Sequence, residues 1–181
     1  MASIGHLAVG AALGAIYSRT TGSNPKTTIL TFAALAVAPD LDLVTAAFGV
    51  PPNTPVSHRG ITHSFAFALA LGLMVGLWAR RWGRGLLTGG VALGALASHG
   101  FLDAMSQLGN GPMLLWPFTN QSYEFIWRPI PGVLNSTHYL TIQAVPTLVI
   151  ETLIFLPAIV FALLTFFPRR VEKAAAEDAV S

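Results

Sequence analysis

Cysteine is absent from the chain. Disulfides and thiolate metal sites are thereby excluded, and the redox compartment leaves no trace in the sequence. Charge is nearly as scarce. Only 10% of the residues are Asp, Glu, Lys or Arg, against about 25% in a soluble domain. The net charge is +2. That is too small a field to gather nucleic acid, although the pI is near 9.4. There are eight acidic residues and five histidines in 181 positions. What fills the chain is apolar: 53% hydrophobic residues and a mean hydropathy of +0.62. With several long apolar runs, this predicts an integral membrane protein, an all-α helical bundle of about five transmembrane helices. The length suits one membrane-embedded domain, residues 1–168, followed by a polar cytoplasmic tail, residues 169–181.

The apolar segments are expected at 3–18, 28–48, 61–79, 86–108 and 141–167. No Lys or Arg precedes the first, so it reads as a retained helix and not as a secretory signal. Within it Gly10 and Gly14 form a GxxxG spacing, which lets a second helix approach closely but is common in any Gly/Ala-rich helix. Pro39 breaks the second segment, since proline removes a helix hydrogen bond and disfavours helix at Ala38. Segment 109–140 is long for a connector. Its aromatics, Trp116, Phe118, Tyr123, Phe125 and Trp127, suit an interfacial belt. Five spans place Arg19, Lys26, Arg80, Arg81, Arg84, Arg169, Arg170 and Lys173 on one side, and only Arg59 and Arg128 on the other. Basic loops mark the cytoplasm, so the N-terminus is expected outside and the C-terminus inside.

The few acids and histidines are not scattered. Asp40, Asp42, His58 and His63 lie within APDLDLVTAAFGVPPNTPVSHRGITHS, from Ala38 to Ser64. His99 and Asp103 are four apart and share one helix face. Such a pair can chelate one metal, sit on two adjacent metals, or form a histidine–carboxylate hydrogen bond inside the bundle. Counted at ~1.5 Å per residue from the inner ends of their spans, Asp40 and Asp42 rise ~18–21 Å. By the same count His99 and Asp103 rise ~20–26 Å. His6 and His63 fall near outer span ends, and His58 lies in the outer loop. All meet in the outer third of a ~30 Å hydrocarbon core.

Each group carries a condition. On a regular helix Asp40 and Asp42 diverge, so both reach one site only if Pro39 distorts the backbone. His58 and His63 converge only through a turn at Gly60. Arg59 suits a phosphate or carboxylate, and Ser57 or Thr62 could cap the next helix. Glu124 and His138, in the outer loop, are weaker candidates. So is Glu151, near the midplane of the last span, which is equally a carboxyl bonded to another helix. Without thiolates, imidazole and carboxylate donors suit zinc, manganese or iron.

APDLD followed by HRGITHS, with His6 before them and His99-x3-Asp103 after, resembles a bacterial family of membrane-bound predicted metal-dependent hydrolases. The family is also called the LexA-binding, inner-membrane-associated hydrolases. The resemblance covers about residues 1–165 and is most specific at the PD-x-D and HRG-x-THS runs. The family is distantly similar to zinc-dependent phospholipase C and P1 nuclease, helical proteins that hold up to three zinc ions. The resemblance implies as ligands His6, either Asp40 or Asp42, either His58 or His63, then His99 and Asp103. With the convergence of the residues themselves, the expected set is His6, Asp42, His58, His63, His99 and Asp103, holding two or three divalent ions with zinc foremost. Asp40 would be a further ligand or the general base, and Arg59 would hold a phosphate. Glu124, His138 or Glu151 would complete the set. The implied function is cleavage of a phosphoester or phospholipid by metal-activated water. It would take place at the outer face of the cytoplasmic membrane, with membrane lipid as partner. Two other readings stay open: proton or ion transport through the buried acids and histidines, and docking of a cytoplasmic regulator, as the LexA-binding label implies.

Overall fold

Long helices run where the apolar segments are. In the computed structural model α1 spans Ile4–Thr21, α2 Pro25–Val37, α4 Phe65–Ala79, α5 Gly85–Ala104 and α6 Val145–Phe166, and the short α3 covers Val44–Ala47. The structure describes residues 4–107, 109–132 and 144–167. His138 and the tail 169–181 lie outside the described residues. No β-strand occurs among the described residues beyond an isolated bridge between Ser106 and Ile130. The architecture is all-α. Four segments are long and apolar enough to cross a membrane: Pro25–Ala47, Phe65–Trp82, Gly85–Ala104 and Val145–Phe166. The fifth long helix, α1, has 18 residues. It is less apolar because His6, Ser18, Arg19, Thr20 and Thr21 occupy places in it, and it packs against α2, α5 and α6.

Local chemistry sets the helix ends. The Asn24 side chain accepts hydrogen bonds from Lys26 N at 2.9 Å and Thr27 N at 3.3 Å, and Pro25 opens α2. The second span is not one helix. After Val37 the chain tightens into a 3-10 helix over Ala38–Leu43, with Pro39 in its first turn, before α3. α4 starts later than the apolar run, at Phe65, because the Ser64 hydroxyl accepts the Phe67 N–H at 3.1 Å. Neither Ser57 nor Thr62 caps it. The Thr62 hydroxyl is bonded to Asp42, and the Ser57 hydroxyl donates to the Thr54 carbonyl at 2.8 Å.

Packing is closest between α1 and α2. A Cβ on Gly10 would stand 2.5 Å from the Phe32 carbonyl oxygen, and one on Gly14 would stand 2.6 Å from Ile29 Cα. The GxxxG spacing therefore serves backbone-to-backbone contact. Tyr17, Phe32, Ala36, Ala92 and Ala95 form the buried core, joined by Leu13, Leu35, Val75 and Val91. The outer faces of α4 and α6 leave Leu69, Leu73, Leu77, Trp78, Leu153 and Leu163 exposed, a surface that suits lipid. The segment 109–132 folds back over one end of the bundle. Phe65 N–H donates to the Leu114 carbonyl at 3.0 Å, Phe125 N–H to Ala104 at 3.0 Å, and Met113 N–H to Arg59 at 2.9 Å. Pro112, Met113 and Leu114 are buried there.

Candidate metal centre

The acids and histidines gather at the end covered by that segment. His6 comes from the first turns of α1, and Asp40 and Asp42 from the 3-10 helix. His58 and Arg59 lie in the loop, His63 closes a 3-10 turn before α4, and His99 and Asp103 occupy the last turns of α5. His6, Asp42, His63, His99 and Asp103 are buried.

The 3-10 winding is what turns both aspartates inward. Residues two apart diverge by about 160° on an α-helix but by about 120° on a 3-10 helix. Asp40 Oδ1 lies 3.3 Å from His99 Nε2 and 3.7 Å from His63 Nε2. Asp42 lies beside it and binds other atoms. Its Oδ1 accepts from His58 Nδ1 at 2.7 Å, and its Oδ2 faces His63 Nδ1 at 3.2 Å and accepts from the Thr62 hydroxyl. Asp103 divides its oxygens similarly. Its Oδ1 is 3.5 Å from His6 Nε2, and its Oδ2 is 3.5 Å from His63 Nε2 and 3.1 Å from Arg59 Nε.

Arg59 has a positive φ of 68°, uncommon for a non-glycine residue. From there its side chain reaches Asp103, and its Nη1 donates to the Asn110 carbonyl at 2.7 Å. The turn at Gly60 does bring His58 and His63 together, with ring centroids 5.2 Å apart. His6 stacks on His99 at 3.7 Å. Gly100 makes the junction possible: a Cβ there would run into the His63 carbonyl oxygen.

Two groups of donors result. Asp40, Asp42, His58 and His63 form one, and His6, His99 and Asp103 the other. In each, one ligand atom per residue lies within 4.8 Å of the rest. The groups meet where His63 Nε2 and His99 Nε2 stand 3.1 Å apart. His99 Nδ1 donates to the Ala36 carbonyl at 2.7 Å, which leaves Nε2 as a lone pair when the ring is neutral. The Asp42 carboxylate likewise holds His63 Nδ1–H. Two lone pairs would then face each other, unless a proton or a cation lies between them.

The distances fit a cation. His63 Nε2, His99 Nε2 and Asp40 Oδ1 form a triangle with edges of 3.1, 3.3 and 3.7 Å. Donors around a tetrahedral zinc ion with bonds of ~2.0–2.1 Å stand ~3.3 Å apart. Asp42 on His63 and the Ala36 carbonyl on His99 are the outer partners that orient metal-binding imidazoles. His6 Nδ1 is buried with no hydrogen-bond partner among the described residues. The buried His/Asp group could thus hold a metal ion. Burial works against a charge on His63, but the Asp103, Asp40 and Asp42 carboxylates outweigh it and push its pKa up to about 10.

The weaker candidates lie elsewhere. Glu124 accepts from Gly111 N at 3.2 Å and pairs with Arg128 Nη1 at 2.6 Å, bracing the loop. Glu151 is buried in α6 and its Oε1 accepts the Gly5 N–H of α1 at 2.9 Å. Its carboxyl therefore bonds another helix, at a terminus whose dipole favours negative charge. Thr62, Ala36 and Gly100 are contributors that ligand chemistry does not single out. Ser64, just before an apolar run, carried a readable cap signal.

Residues 1–174 match the YdjM inner membrane protein family. The chain is also similar to the inner membrane protein YbcI of Escherichia coli (strain K12), with 37% identity over 98 residues. That match covers 53% of this chain and 57% of YbcI, so the chain spans little more than half of that relative's length. No solved structure matches. The family match extends over all the described helices and every residue of the His/Asp cluster. The chain belongs to the YdjM inner membrane protein family and is a multi-pass inner membrane protein with a buried His/Asp cluster.

Proposed function

We propose that the chain is a metal-dependent hydrolase that cleaves a phosphoester or phospholipid at the outer face of the inner membrane. The observation that carries this reading is the triangle of His63 Nε2, His99 Nε2 and Asp40 Oδ1. Catalytic zinc sites use three protein donors and an exchangeable fourth position, whereas structural sites are closed, and this triangle supplies three donors. These three residues would hold the ion, most simply zinc, and a second could use either Asp42 and His58 in one group or His6 and Asp103 in the other. The chemistry supplied by such an ion is a bound water of pKa ~7 and a polarised phosphoryl oxygen. Asp42 and the Ala36 carbonyl keep the two imidazoles oriented. Asp40, whose side chain is 21% exposed, is the most exposed of these three donors, and its Oδ2 is the atom to take a proton from the attacking water. Arg59 fixes Asp103 through Nε and sets a positive charge beside the cluster, which favours a phosphoryl group. Phe118, Ile126 and Trp127 are exposed on the covering segment, as suits contact with the headgroup layer.

Transport would need a polar path to the opposite end. The Tyr17, Phe32, Ala36, Ala92 and Ala95 core supports the hydrolase over that alternative. Purified protein should contain bound metal by elemental analysis and hydrolyse a member of a phosphodiester and phospholipid panel. His99→Ala and Asp103→Ala should each lose metal and hydrolysis together. Full hydrolysis in either variant would sink the proposal.

A further inference from the structure

A groove of about 240 Å³ lies between α1, α2 and α6, lined from Ile4 and Leu7 near the start of α1 to Phe166 at the basic end. Ala8, Ala11 and Ala162 make room for it, and Ile29, Leu163 and Phe166 help to wall it. Two cations stand at its Phe166 end. Lys26 Nζ is 5.7 Å from the Phe166 ring centroid. Arg19 Cζ is 4.7 Å from the Phe161 ring, and Arg19 Nε–H donates to the Thr165 hydroxyl at 3.1 Å. Both side chains, from different helices, are thus laid over the last turns of α6. Among the described residues no carboxylate lies within ion-pair distance of either. At ~1.5 Å per residue, Arg19 lies ~20 Å along α1 from His6.

We propose that this groove and its two cations bind one anionic phospholipid, with an acyl chain between α1 and α6 and the phosphate between Arg19 and Lys26. Apolar walls with a basic rim at one end match such a lipid in both parts: the walls take the chain, and basic pockets between spans take acidic headgroups. The bound lipid would also tie down α6, whose hydrophobic window is only 11% buried within the protein. Its cationic end is away from the candidate metal centre, and the site does not depend on the hydrolase reading.

Native mass spectrometry of the full chain in detergent tests it. The probes are phosphatidylglycerol, phosphatidylcholine with the same acyl chains, and soluble glycerol phosphate. Wild type should retain one phosphatidylglycerol, and about 30-fold more weakly one phosphatidylcholine, since each cation near an acidic headgroup is worth about fivefold. Arg19→Gln with Lys26→Gln should erase that preference, so that the two lipids are retained equally. Ala162→Phe, which fills the groove, should weaken both lipids. Equal retention of the two lipids by wild type would overturn the proposal. So would an unchanged preference in the Arg19/Lys26 variant, or glycerol phosphate competing as well as the whole lipid.

Discussion

His63 uses both ring nitrogens, one toward Asp42 and one toward His99, Asp40 and Asp103. In the metal-free protein its pKa of about 10 keeps it charged at neutral pH. A metal ligand must be an unprotonated imidazole, so ion binding has to expel that proton. Zinc added to metal-free protein at pH 7.5 should release about one proton per ion or more, and affinity should fall as pH is lowered. Calorimetry in buffers of different ionisation enthalpy reads the number, and no release would remove His63 from the ligand set. At this scale the sequence was partly legible. The four-residue spacing of His99 and Asp103 fixes a common helix face whatever surrounds them. The inward turn of both aspartates was conditional, because it depends on the 3-10 winding after Pro39. The Ala36 carbonyl was invisible, since every residue carries one.

α5 and the turn Ile61–His63 touch at Gly100, where a side chain would strike the His63 carbonyl. Gly100→Ala should therefore push the two donor groups apart, although alanine is the better helix former. Overpacking of this kind costs about 1–3 kcal/mol, and metal affinity should fall with it. Gly90→Ala, on the same helix with nothing within 4 Å of the added Cβ, is the control. Thermal unfolding and zinc titration of the two variants measure the difference, and equal behaviour would dismiss the junction. Hydropathy located the spans, because lipid demands length and apolarity. It misplaced their ends by a few residues, because caps such as Asn24 and Ser64 set those. It could not locate this junction, since a glycine inside a helix has many possible neighbours.

The helices bring the cluster to one end of the molecule and Arg19, Lys26, Arg80 and Arg81 to the other. From the bias of basic residues we propose that the latter end faces the cytoplasm. Because cysteine is absent, single cysteines can be placed without background. An impermeant maleimide applied to intact spheroplasts should label Val56→Cys, and should label Thr27→Cys only after the membrane is opened. The reverse pattern would turn the candidate centre toward the cytoplasm. The Glu151–Gly5 hydrogen bond adds an order in time. It joins residues 146 positions apart, so α1 is held by a helix that is made later. At about 5–20 residues per second, that partner arrives ~7–30 s later. Until then the Gly5 N–H at the start of α1 lacks this partner. A nascent chain halted before Glu151 would thus carry every donor of the cluster, with the amide next to His6 still waiting for its carboxylate.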